Sequence, residues 1–381
     1  MAKKRSARTQ VRRRVRYGVV GLGHIAQAAV LPAFAHATGT TELAALFSSD
    51  PAKLRKLGRK YGVEHRFDYG GDGFEAGLLE AELDAVYIAL PNNMHREYTE
   101  RAAAAGVHVL CEKPMAVTSA DCRAMIEACD RAGVKLMIAY RLHFDEANLR
   151  AVDLAQSGKL GDLRLFSSVF TMDVREGDIR LSARQHGGGT LYDIGVYCIN
   201  AARYLFREEP EEVFASSVRG DEPRFGAPGL DEMTAATLRF PGGRLATFVT
   251  SFGAAHVSHY QIVGTDGDLV MDPAYSYAGQ LKQEIRIGKK QRQKTFPQRD
   301  QFAPELAHFA ECVMTGADPE PSGREGLADI RVVEALYRSA DSGRPVRLDE
   351  FEKRRRPGPE LADRRPAVRE PELVNTEPPQ R

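Results

Sequence analysis

The chain has 381 residues, 43% hydrophobic and 28% charged, with a formal net charge of +1. That length and balance suit a globular protein with two cores, and no run of about 18 apolar residues offers a membrane span. Eight positive charges fall within the first sixteen residues, so the remainder sums to −7, a poor electrostatic surface for nucleic acid.

Those sixteen residues hold Lys3, Lys4, Arg5, Arg8, Arg12, Arg13, Arg14 and Arg16 and no acid. A secretory leader would follow such charges with an apolar stretch and a small-residue cleavage site. Here the apolar run from Val15 enters a glycine-rich turn instead, so a cytoplasmic protein is expected. Residues 1–14 read as a flexible or subunit-wrapping arm. Cys111, Cys122, Cys129, Cys198 and Cys312 form no C-x-x-C pair and do not cluster with histidines. They are expected to be reduced and buried, with no metal site built from them.

From residue 15 to 141 short apolar runs alternate with amphipathic stretches. Strands are expected at 15–21, 41–48, 84–90, 108–113 and 135–140, and helices at 51–61, 94–105 and 119–132. This alternation predicts a Rossmann-type parallel sheet with helices on both faces. From 142 to 350 a helix at 145–157 leads into strands that read as antiparallel, with helices at 303–315 and 324–341. That half is expected to be an α+β substrate and oligomerisation domain with a large, mostly antiparallel open sheet. Residues 351–381 are rich in arginine, acids and proline and poor in aliphatics, so little order is expected there.

Gly21-x-Gly23-x-x-Ala26 follows the first strand and opens a helix. Gly21 allows the tight turn, Gly23 lets backbone approach a pyrophosphate, and Ala26 lets helix and strand pack closely. The helix N-terminus then presents free N–H groups to phosphate oxygens. In this strand–turn–helix setting the pattern predicts dinucleotide binding through Gly21, Leu22, Gly23, His24 and Ile25. The second strand ends ALFSSDPAK. An NAD-selecting strand usually ends in an acid that binds the ribose hydroxyls, whereas Ser48 stands here, with Ser49 beside it and Lys53 nearby to meet a 2′-phosphate. NADP(H) is favoured over NAD. Two alternatives stand open: Asp50 as the ribose acid after a two-residue shift, and Ser48–Asp50 as a plain helix cap.

Lys113, in CEKPM at the carboxyl edge of the fifth strand, is held extended by Pro114 and can aim its ammonium into the cleft. GGGTLYDIGVY, residues 187–197, carries Asp193 and Tyr197 four apart, on one face of a helix. A cation beside a phenol suits it to the proton transfer that accompanies hydride transfer at a carbinol. The glycines would then let the loop pass close to nicotinamide and sugar. Equally, Thr190 and Asp193 fit a capping box, which makes the stretch a routine helix start.

Together the glycine turn, AVYIALPNNMH, HVLCEKPM, KLMIAYR, GGGTLYDIGVY, LVMDP and PSGREGLADIRVVEALYRSADSGRPV resemble the Gfo/Idh/MocA oxidoreductase family, over residues 15–348. The resemblance implies Lys113 and Asp193 as active-site residues and a cis Lys113–Pro114 peptide. Most members carry histidine where Tyr197 stands; the tyrosine is similar to the glucose–fructose oxidoreductase branch, as is a serine followed five residues on by a lysine. That branch holds NADP tightly, oxidises an aldose to its lactone and reduces a second sugar with the same hydride. The resemblance extends the cofactor and site residues to Leu90, Asn92, His95, Glu112, Arg141, Arg180 and Tyr277, and implies a homodimer or homotetramer. The expected activity is therefore that of a sugar oxidoreductase with Tyr197 as acid/base. An exchanging aldose dehydrogenase or anhydroketose reductase is the near alternative, and a non-catalytic dinucleotide sensor the remote one.

Overall fold

The structure, a computed structural model, describes residues 13–353 and 355–380. The basic arm lies outside the described residues, apart from Arg13 and Arg14.

Six parallel strands build the first sheet: β1 (Val15–Val20), β2 (Thr41–Phe47), β3 (His65–Phe67), β4 (Ala85–Ile88), β5 (His108–Glu112) and β6 (Leu136–Ala139). They run in the order β3-β2-β1-β4-β5-β6, all pairs parallel. Every residue of β4 and β6 is buried, because helices cover both faces. The helix Pro51–Tyr61 starts where Asp50 accepts hydrogen bonds from the amides of Ala52 and Lys53, and it ends at Gly62. Ser119–Ala132 starts likewise on Thr118. The three-residue edge strand β3 and the helix Gly73–Glu80 escaped the sequence pattern. Both are too short to show a period.

The second sheet has nine strands: β7 (Leu163–Asp173), β8 (Glu212–Val218), β9 (Met233–Phe240), β10 (Arg244–Ser251), β11 (Gly253–Gly264), β12 (Gly267–Met271), β13 (Leu281–Ile287), β14 (Lys290–Phe296) and β15 (Val346–Arg347). Their order is β14-β13-β12-β11-β7-β10-β9-β8-β15, antiparallel except where β10 lies parallel to β7. β14 was not foreseen; its KQRQKTF is almost wholly exposed and carries no apolar alternation. The helices Val196–Phe206 and Gly323–Ser342 pack on one face of this sheet.

The 141/142 boundary is not a clean partition. Helix Phe302–Thr315 returns to the first sheet, where Phe302, Leu306 and Phe309 share a core with Tyr17, Leu46 and Tyr87, and the Tyr17 hydroxyl donates to the Leu306 carbonyl at 3.0 Å. The tail also departs from expectation. Residues 355–380 have almost no regular structure, but they lie along the protein in specific contacts, such as Arg356 with Glu209 at 2.7 Å and Arg365 with the His36 carbonyl at 3.1 Å. Polar and proline-rich composition removed the core-forming signal without removing the hydrogen-bonding groups. All five cysteines are buried and unpaired. Among the described residues no helix is long and apolar enough to cross a membrane.

Candidate active site

At the end of β1, Gly21 adopts φ +91°, and a Cβ there would lie 2.5 Å from the Ala89 carbonyl oxygen. Only glycine allows the turn so close to β4. Nothing lies within 4 Å of a Cβ built on Gly23, and no side chain caps the start of the following helix, Ala26–Val30. Open space beside uncapped amides is the cradle a pyrophosphate fits.

The cavity beyond this turn measures about 990 Å³ and reaches from Ser48, Ser49 and Lys53 at one end to Lys113, Asp193 and Tyr197 at the other. Asp50 lines the cavity too, and its Oδ1 caps its own helix through the Ala52 and Lys53 amides at 2.8 and 3.2 Å. The Ser48 hydroxyl accepts from the Asp50 amide at 3.1 Å and keeps its proton to donate.

Lys113 and Asp193 meet as an ion pair. The Lys113 ammonium donates to the Asp193 carbonyl at 2.9 Å and to its carboxylate at 3.1 Å, leaving one N–H for a ligand. The same nitrogen stands 4.7 Å from the centre of the Tyr197 ring. Arg180 donates from Nε to the other Asp193 oxygen at 2.7 Å. Burial alone would raise Asp193, but the two cations outweigh it and hold the carboxyl well below the usual range. Burial opposes charge on Lys113 too, yet Asp193 and its other neighbours keep its pKa raised. The Lys113–Pro114 peptide is cis.

One local expectation for residues 187–197 fails. Thr190 is not a cap: its hydroxyl donates to the Asp231 carboxylate and accepts from Thr250 at 2.8 Å. Gly187 lines the cavity, whereas Gly188 and Gly189 answer to close packing within the protein. A Cβ on Gly188 would collide with the Ser182 carbonyl, and Gly189, at φ +112°, faces Asp231 and Tyr337 within 2.5 Å. The loop packs that tightly against its own protein. Leu191–Gly195 forms one widened π turn before the helix Val196–Phe206, and both Asp193 and Tyr197 line the cavity.

The remaining predicted residues, Leu22, His24, Ile25, Leu90, Asn92, His95, Glu112, Arg141, Arg180 and Tyr277, all line the cavity. His95 is fully buried, its ring between the Leu90 and Pro114 carbonyls at 2.8 and 3.0 Å, so it props the loops at the cavity wall. Asn92 donates to the Gly187 carbonyl at 2.8 Å and ties the glycine loop to the first domain. Glu112 accepts from the Tyr87 hydroxyl at 2.7 Å and from the Lys113 amide at 3.2 Å. Arg141, expected at the cofactor, donates to the Tyr197 hydroxyl at 3.1 Å and to the Tyr275 carbonyl at 2.6 Å. Sequence reasoning also passed over Tyr275, whose ring centre lies 5.7 Å from that of Tyr197, and Asp178, which accepts from Arg180 at 3.2 Å. Tyr275 stands two residues before Tyr277 after the same Asp-Pro turn, and both tyrosines line the cavity.

A parallel sheet with an open glycine turn after its first strand, facing a lysine, an aspartate and a tyrosine across one cleft, has the build of a nicotinamide-dependent oxidoreductase. The chain belongs to the GFO/IDH/MocA family. The oxidoreductase-family model with its NAD-binding Rossmann fold matches residues 15–140, and the GFO/IDH/MocA C-terminal domain matches 148–270. The D-xylose 1-dehydrogenase (NADP(+)) 2 of Haloferax volcanii is 32% identical over 87% of this chain and 99% of its own length. Among solved structures, the aldose-aldose oxidoreductase from Caulobacter crescentus complexed with glycerol is 40% identical, with a TM-score of 0.83, over 88% of this chain and all of that one. A 3-ketoreductase from Actinomadura kijaniata, in complex with NADP and TDP-benzene, is 28% identical with a TM-score of 0.77, over 86% of this chain and 98% of that one.

Proposed function

We propose that this protein moves hydride between C1 of a pyranose and NADP(H), oxidising an aldose to its lactone and reducing a second sugar in return. The observation that carries the reading is the convergence of Lys113, Asp193 and Tyr197 at one end of a cavity whose other end is the glycine turn. When bound, a nicotinamide dinucleotide supplies the hydride acceptor and donor.

The protein's own groups do the rest. Tyr197 takes the C1 hydroxyl proton as the C1 hydrogen leaves with its electron pair, and the sugar becomes a lactone. In the reverse half-reaction Tyr197 returns the proton to the carbonyl oxygen of the second sugar. Lys113 has one N–H left for the reacting oxygen, and Asp193 holds that ammonium in place. Ser48 and Lys53 meet the 2′-phosphate, a choice supported by the engagement of Asp50 in its helix cap.

The aldose-aldose oxidoreductase likeness favours sugar-to-sugar transfer, while the D-xylose 1-dehydrogenase relative favours an enzyme that exchanges its cofactor. Denaturing the purified protein and assaying the released nucleotide separates the two. Stoichiometric NADP, with turnover of an aldose pair in the absence of added cofactor, is expected. Failure to oxidise any aldose even with NADP supplied would overturn the reading.

We further propose that the protein acts in the cytoplasm as a homo-oligomer. Leu165, Phe214, Val218, Met233, Leu245 and Val257 are exposed and share one face of the nine-stranded sheet by register. That apolar face suits pairing between copies.

A further inference from the structure

The C-terminal segment crosses the mouth of the cofactor cleft and is fastened to both lips. On the nucleotide-domain lip, Gln27, 1% exposed, treats the segment as a strand would: its carbonyl oxygen accepts from the Val374 amide at 2.7 Å, and its amide nitrogen donates to the Val374 carbonyl at 2.9 Å. The same nitrogen also donates to the Leu22 carbonyl in the glycine turn at 2.9 Å. One residue on, the Asn375 side chain donates to the Asp50 carboxylate at 2.9 Å.

The far lip belongs to the substrate domain. There the Arg175 amide donates to the Pro379 carbonyl at 2.9 Å, Val174 bridges to Gln380, and the Arg175 guanidinium pairs with Glu377. Between the two sets of fastenings the chain lines the same cavity as the glycine turn, Ser48, Lys113 and Tyr197. About 990 Å³ stays open beneath it, at the upper end of the range for small-molecule sites, roughly 300–1,000 Å³. The segment is a roof over the cavity, anchored at its two ends to the two lips.

We propose that residues 374–380 form a strap that completes the dinucleotide site and keeps bound NADP(H) from leaving between turnovers. This rests on the function proposed above and adds its physical cause: a cofactor under the strap cannot leave until the fastenings at one lip open. Three or more hydrogen bonds must break together, and at about fivefold per net hydrogen bond that amounts to roughly 100-fold in rate.

The test uses the full chain, a chain stopped after Glu372, and Glu377→Arg, which sets two cations against each other at the far lip while leaving the length unchanged. Each is loaded with NADPH, and release is followed by loss of nicotinamide fluorescence after a chase of excess NADP. Nucleotide retained after gel filtration is measured in parallel. Release is expected about 100-fold faster from the shortened chain and intermediate from Glu377→Arg. Combining Glu377→Arg with Arg175→Glu should restore slow release, which a mere folding defect would not allow. Equal release from all four proteins would overturn the strap alone. Tighter binding by the shortened chain would overturn it too, by making the segment a competitor. A full chain that binds no NADPH would overturn the proposed function and the strap with it.

Discussion

Arg141 holds Tyr197 from two sides at once. Its guanidinium donates to the phenol oxygen at 3.1 Å and lies 5.1 Å from the ring centre. Removing this donor while keeping bulk, as in Arg141→Met, is expected to lower kcat by about 100-fold, the scale on which a single donor to a charged oxygen acts. KM for the sugar should change little. A normal kcat in Arg141→Met would assign the contact to packing.

Tyr197→Phe should leave NADPH binding nearly intact and cut turnover by ~100-fold or more, the usual contribution of acid–base catalysis. Titration by nicotinamide fluorescence and single-turnover kinetics measure the two quantities separately. Unchanged turnover would remove Tyr197 from its role.

Asp193 sets a limit on the pH profile. Lys113 and Arg180 overcome burial and hold its carboxyl below the unfolded value of 3.8, so the native state binds that proton less tightly than the unfolded chain. The stability this contributes is complete above about pH 4 and is lost only as pH falls through the lowered native value. No acid limb in kcat between pH 4.5 and 7 should therefore belong to Asp193. If such a limb is present and disappears in Asp193→Asn, the assignment is wrong.

Ser48→Asp places a carboxylate where the 2′-phosphate is expected. Loss of one charge-assisted hydrogen bond and the added repulsion should weaken NADP by about 10–100-fold while NAD binding holds or improves. Equal loss for both dinucleotides would show that Ser48 matters only for the shape of the strand end.

Lys353, 3% exposed, pairs with Glu320 at 3.1 Å. Burial outweighs that pair and takes its pKa from 10.5 down to about 8. The unfolded chain thus holds more protons between those values, and stability rises with pH across the window. Urea midpoints of the protein and of Lys353→Met, measured at pH 8 and pH 10, should differ by a term of ~2–3 kcal/mol that only the parent chain gains on going alkaline. Parallel responses in the two would contradict the burial of a charged lysine.

What was readable in one dimension was whatever depends on near neighbours. Helices Pro51–Tyr61 and Ser119–Ala132 match their expected bounds because caps, period and terminal glycines all lie within a few residues of one another. The glycine turn was legible for the same reason. Lys113, Asp193 and Tyr197 were legible as a set through the family resemblance, since their motifs recur in a fixed order.

Chain-distant partners were not readable. Arg141 and Tyr197 are 56 residues apart, and nothing local to KLMIAYR distinguishes a guanidinium aimed at a phosphate from one aimed at a phenol. Gly188 and Gly189 announced a close approach, but only the packed structure decided that the approach is to Ser182, Asp231 and Tyr337. The tail shows the division most plainly. Its composition correctly denied it a core of its own, and that is a property of the sequence alone. Its place across the cleft depends on Gln27, Asp50 and Arg175, brought into reach by two separate sheets. Hydrogen bonds between residues hundreds of positions apart leave no periodic trace in a chain, so tertiary structure alone decided them.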